Sequence, residues 1–191
     1  MAYSPKDIVI VAALRTAIGN FNGALSALPA STLGMTVIQG LLARTKLPGE
    51  AVSEVVMGQV LTGNCGMNPA RQAALQAGLP KEVPAWLVNQ VCGSGLRAVA
   101  LGYQAIKAGE SQIVIAGGQE NMSQAPHAVL LRPGIKMGNG TLEDTMVKDG
   151  LTDAFHRYHM GVTAENLAKK FNISREAQDA FSCASQNKAE A

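Results

Sequence analysis

The sequence predicts an α/β fold: a parallel sheet with helices on both faces. Three observations carry that prediction. Short β-branched apolar runs alternate with segments of helical period through residues 7–118. Glycine or proline closes most of the helical segments. The composition, 47% hydrophobic and 16% charged over 191 residues, suits a chain that buries a substantial core.

Taken in order, "DIVIVAAL" (7–14) reads as a buried strand, apolar and bounded by polar residues. A helix follows from Ser31, with Leu33, Val37, Ile38, Leu41 and Leu42 at three- and four-residue steps before Pro48-Gly49. "EVVMGQVL" (54–61) is a second strand. Pro69 opens the helix "PARQAALQAG", which Gly78 closes. "PAWLVNQV" (84–91) is a third strand, a helix runs from about Ser94 to Ala108, and "SQIVIAGG" (111–118) is a fourth strand. Strand-helix alternation at this spacing implies parallel crossovers and a covered sheet. The rhythm then breaks. Residues 119–161 carry prolines, methionines and glycines with little periodicity, as a functional loop region does. The last segment reads as two helices parted near Asn172, with Ser174 as an N-cap. The pattern stops at Ala191 without a helix-ending signal, as if cut.

The formal charge of +2 is too small to argue for nucleic acid or a membrane surface. No apolar run approaches the roughly 20 residues needed to span a bilayer. The start resembles neither a secretory signal nor a transit peptide, so the expected location is the cytoplasm. Cys65, Cys92 and Cys183 are too far apart, and too far from paired histidines, for a disulfide framework or a zinc site.

Cys92 has the most telling setting. It lies where the third strand gives way to a helix, at the carboxyl end of a parallel sheet, where reacting groups gather. A helix start offers unpaired N–H groups and a dipole that favour a thiolate. Gly93 and Gly95 suggest a sharp turn open to substrate, and the local N–H groups suggest an oxyanion site. Leu96, Val99, Ala100, Tyr103 and Ile106 form the expected buried stripe of that helix. Two readings stand side by side: a nucleophile, or a buried structural cysteine. Cys65, in a Gly/Asn-rich loop, and Cys183, in a helix, favour the structural one. A nucleophilic thiol needs a base, and the histidines present are His127, His156 and His159. His159, just before a helix, best fits a pocket wall.

Several motifs resemble the thiolase family. "NQVCGSGLRAV" is similar to its acyl-accepting cysteine motif. "IVIVAALRTAIGNFNGAL", "GNCGMNPARQAAL", "GGQENMSQAPH", "RPGIKMG", "DTMVKDGLTDAF" and "YHMGVTAENLAKKFNISREAQDAFS" follow in register across the chain, closest to short-chain biosynthetic members. The resemblance implies one of two duplicated halves of an α-β-α-β-α layered fold. Residues 1–119 would be the N-terminal core half, and 120–191 the beginning of a truncated loop domain. It implies an acyltransferase that condenses two acetyl-CoA into acetoacetyl-CoA and CoA, reversibly, through an acyl-Cys92 thioester. The Cys92 N–H would help hold the oxyanion, and Leu151, His159 and Met160 would line the pantetheine channel. Coenzyme A enters as substrate, with no metal or other cofactor. The segment Ala125–Met137 would join two dimers into a homotetramer. A thioester suits this chemistry, because its weak resonance leaves the carbonyl electrophilic and the α-carbon acidic.

The family's Gly-His-Pro histidine, second catalytic cysteine and Asn-Glu-Ala-Phe string do not occur in residues 1–191. The resemblance therefore implies a C-terminal half, on this or another chain, without which residues 1–191 would be inactive. Two alternatives remain at this point: a degradative 3-ketoacyl-CoA thiolase of broader chain length, and a non-catalytic half-thiolase that serves assembly.

Overall fold

A computed structural model describes residues 7–190. Contacts divide the chain into two compact units, residues 1–150 and 151–191.

The first unit is a three-layer α/β arrangement. Helix α1 (Ala30–Thr45) and helix α2 (Pro69–Gln76) pack together on one face of a parallel sheet. The sheet has the order β2 (Ala85–Val88), β1 (Glu54–Gly58), β3 (Val114–Gly118), with Val55 opposite both Ala85 and Ile115. Helix α3 (Ser94–Ala108) covers the other face. Alternation along β1 sorts its side chains as a two-sided sheet requires. Val55 and Met57 join Ile38, Ala70, Ala73, Ala74, Leu79, Val83 and Ile115 in the core beneath α1 and α2. Val56, equally buried, points the opposite way.

Helix α2 begins as its sequence suggests. Pro69 takes the first turn, and the Asn68 side chain accepts the Arg71 N–H at 3.1 Å, satisfying a donor the helix leaves open. Gly78 follows the helix at φ 92°, a conformation that suits glycine.

Two expectations need correction. Residues 7–14 form no strand. A β-strand needs a ladder partner, and none of the described strands pairs with this segment. Its apolar side chains consequently face outward, Ile10 being 78% exposed. The buried face of α3 is also different: Ser94, Ala98 and Gly102 lie inward, while Leu96 is 78% and Tyr103 47% exposed. Val99, Ala100 and Ile106 are half-buried. The cause is proximity. A Cβ on Gly102 would stand 3.0 Å from Val114 Cγ1, so small residues must line the side that meets the sheet.

The irregular region after β3 is pinned rather than loose. Asn121 Nδ2 donates to the carbonyls of Leu28 at 2.7 Å and Ser26 at 3.1 Å. Gln124 Nε2 also reaches Ser26 O, at 3.0 Å. A short antiparallel pair, β4 (His127–Ala128) with β5 (Glu143–Asp144), brackets a loop that exposes Leu130, Leu131, Ile135 and Met137. Asp144 Oδ1 then accepts the N–H groups of Met146 and Val147, starting a π-helical turn over Met146–Leu151.

The second unit holds α4 (Met160–Lys170) and α5 (Arg175–Glu190), as the two-helix reading expects. Ser174 Oγ accepts the Ala177 N–H at 3.2 Å, and Asn172 sits at φ 52° in the break between them. Among the described residues, no helix is long and apolar enough to cross a membrane.

Candidate active site

Residues 89–93 carry the chain from β2 into α3, and one of them is strained. Val91 has φ 48°, a left-handed conformation that a β-branched side chain resists. Such a residue costs about 1–3 kcal/mol and persists only where its surroundings enforce it. Here they do. Asn89 Oδ1 accepts the Val91 N–H at 2.9 Å. Ser94 Oγ donates to the Val91 carbonyl at 2.6 Å and accepts the Gln90 N–H at 2.8 Å. The Ser94 N–H reaches the same Val91 carbonyl at 3.1 Å. Both peptide groups of Val91 are thus gripped.

The glycines serve another purpose than the turn itself. Gly93 has φ −82°, open to any residue. Close approach instead demands glycine at Gly58, the end of β1. A Cβ there would lie 2.5 Å from the Gly95 nitrogen and 2.7 Å from Ser94 Cβ. The start of α3 rests directly on the central strand, and Cys92 rides just ahead of it, exposed. This arrangement puts a free thiol at a helix N-terminus on a rigid, strained corner, which suits covalent catalysis.

Beneath the strand ends lies a buried polar network. Gln59 Nε2 donates to the Leu61 carbonyl at 3.0 Å, and its Oε1 accepts from Gln119 Nε2 at 2.9 Å. The Glu120 carboxylate accepts the N–H groups of Val60 at 2.8 Å and Leu61 at 3.2 Å. Burial raises the Glu120 carboxyl above its ordinary value, against the lowering effect of those two N–H groups. Burial also raises the Cys65 thiol, opposed by a hydrogen bond from Gln59 and assisted by the Glu120 charge. Cys65 Sγ faces the carbonyls of Leu61 and Gly63 at 3.6 Å, a setting that matches its structural reading. Cys183 is exposed on α5.

The histidines are otherwise engaged. His127 Nε2 lies 3.9 Å from Asp144 Oδ2. His156 Nδ1 is 3.1 Å from Asp153 Oδ1, and its ring stacks on Tyr158. Backbone hydrogen bonds from His156 and Phe155 hold the Asp153 carboxyl below its usual range. His159 caps α4: its Nδ1 accepts the Gly161 N–H at 3.0 Å, which puts the ring proton on Nε2 and leaves that edge a donor. A bridge between Thr152 and His159 brings Leu151 toward the start of α4, so Leu151, His159 and Met160 belong to one end of the second unit. Cys92 belongs to the first unit. Among the described residues, no three His, Cys, Asp or Glu side chains gather as a metal site would need.

Reading the sequence alone picks out Cys92 but passes over Asn89, Val91 and Ser94. A signal for them exists: an Asn two residues before the cysteine's neighbour, and a Ser at the helix start, are ordinary sources of local side-chain-to-backbone bonds.

Comparison with known proteins supplies the family. Residues 8–191 match the model of the thiolase N-terminal domain. The chain is 59% identical over 183 residues to a rat protein named "Acetyl-CoA acetyltransferase, cytosolic", covering 96% of this chain and 46% of that one. It is 59% identical over 186 residues to the acetyl-CoA acetyltransferase of Cupriavidus necator (97% and 47%), and 57% identical over 185 residues to that of Pseudomonas aeruginosa (96% and 47%). The chain spans about half the length of these curated relatives. A cysteine-bearing strand-to-helix corner, a layered α/β fold and a match along nearly the whole sequence lead to one conclusion: this chain belongs to the thiolase family, through its N-terminal domain.

Proposed function

We propose that this chain contributes the acyl-accepting half of an acetyl-CoA C-acetyltransferase. The observation that carries the reading is the exposed Cys92, held at the start of α3 by the strained Val91. The Cys92 thiolate attacks the thioester carbonyl of acetyl-CoA. The bond from carbon to the CoA sulfur breaks, and CoA leaves with a proton. A second acetyl-CoA then loses an α-proton to a base. Its carbanion attacks the acetyl-Cys92 carbonyl, giving acetoacetyl-CoA and returning the Cys92 thiolate. Coenzyme A acts throughout as part of the substrate.

Leu151, His159 and Met160 would line the pantetheine arm, the Nε2–H of His159 serving as a donor. The activating histidine and the second acid/base cysteine would come from a C-terminal half. The lengths of the relatives support such a half. On this reading residues 1–119 are core and 120–191 open the loop domain. The exposed Leu130, Leu131, Ile135 and Met137 would be buried in a homotetramer. The name of the rat relative supports a cytoplasmic setting.

The test is intact-protein and peptide mass spectrometry after incubation with acetyl-CoA. A single acetyl adduct on Cys92, absent from Cys92→Ala, is the expected result. An adduct that maps elsewhere, or that survives the substitution, would overturn the reading.

A further inference from the structure

We propose that Ser94 is a positioning residue for the Cys92 nucleophile, its buried hydroxyl holding Val91 in the left-handed conformation that presents the thiol at the start of α3. The inference rests on the reading of Cys92 as nucleophile and adds the device that aims it.

The geometry is specific. Ser94 is only 4% exposed, so its hydroxyl must find protein partners, and it finds two that flank the strained residue. It accepts the Gln90 N–H at 2.8 Å and donates to the Val91 carbonyl at 2.6 Å. A single oxygen thereby closes the loop on both sides of the Val91 backbone. The seat beneath it is equally defined, since Gly58 leaves room for Ser94 Cβ where any side chain would collide. Nothing in this arrangement requires Ser94 to touch an acyl group. Its effect passes through the φ of Val91 to the direction of the Cys92 Sγ and N–H. A relaxed Val91 would redirect the backbone at the very next residue, and Cys92 would no longer be held just ahead of α3.

Strain gives the test its discriminating control. Glycine adopts φ 48° without penalty, so Val91→Gly removes the need for Ser94 to enforce it. The readout is the rate of iodoacetamide alkylation at Cys92, measured by peptide mass spectrometry against exposed Cys183 in the same molecule. The full polypeptide carrying residues 1–191 is used, with far-UV circular dichroism to follow folding.

Ser94→Ala is expected to lower the Cys92-to-Cys183 rate ratio by about tenfold. The Ser94→Ala/Val91→Gly double variant is expected to recover to within about twofold of Val91→Gly alone. An unchanged ratio in Ser94→Ala overturns the proposal, and so does a drop that Val91→Gly fails to restore. If Ser94→Ala does not fold, the double variant decides: recovery of both fold and ratio supports the assignment, and failure to recover overturns it. A wild-type protein whose Cys92 alkylates readily yet takes no acetyl group from acetyl-CoA would sink the acyl-transfer reading while leaving the role of Ser94 intact.

Discussion

Gln119 Oε1 occupies the space beside Gly34 that a Cβ would fill, and it is a buried acceptor without a hydrogen-bond partner among the described residues. The other end of the same amide is fixed, because Gln119 Nε2 donates to Gln59 Oε1. The side chain therefore cannot turn away. A Cβ at residue 34 would sit 1.9 Å from that oxygen. Helix α1 accepts a glycine in its interior, at a propensity cost of about 1 kcal/mol relative to alanine, so that the Gln119 side chain, just beyond β3, can lie against it.

Gly34→Ala should therefore destabilise the protein in spite of its better helix propensity. A loss of about 1–3 kcal/mol is expected, read as a lower urea midpoint. Adding Gln119→Ala should return part of that loss, because the oxygen that meets the new methyl is gone. Equal stability of Gly34→Ala and wild type would refute the account.

Glu120 makes stability depend on pH in the direction opposite to a paired surface carboxylate. Its folded value is raised by burial, so the folded state holds the proton more tightly than the unfolded chain. The stabilisation is complete below the ordinary glutamate value and is lost as pH rises through the raised one. Relative to Glu120→Gln, the wild type should lose stability as pH climbs from about 4.5 toward neutrality. Parallel pH curves for the two proteins would count against a raised Glu120.

Cys65 should behave likewise at alkaline pH. Its thiol is raised from 9.0 by burial, so its contribution is present below that value and lost as pH rises through the folded one. Cys65→Ala should flatten the decline in urea midpoint as pH rises above 9.0. The same decline in both proteins would place the alkaline sensitivity elsewhere.

Much of the fold is legible in the sequence, for reasons that particular residues make plain. Pro69 and Gly78 bracket α2 through local backbone preference, and Asn172 with Ser174 marks the α4–α5 break in the same way. The misread elements depend on distant partners. Residues 7–14 have the apolarity of a strand, but apolarity does not supply a ladder. On α3, large apolar residues look like the buried face, yet the contact with the sheet is too close for them, and Ala98 and Gly102 take it. The site shows the same division. Cys92 is found from its local motif. The Glu120 anchor at Val60 and the amide pair of Gln59 with Gln119 join residues 60 apart in sequence, beyond the reach of any local pattern.

The central place of β1 has a consequence for how the molecule is made. β1 is the first of the three sheet strands to be synthesised, yet both of its neighbours come later, and β3 comes only after Cys92 and all of α3. Contacts this distant in sequence close late during folding. On a growing chain the thiol is therefore present before its seat is finished, and the corner around it sets only once Gly118 has emerged to rest against Gly95.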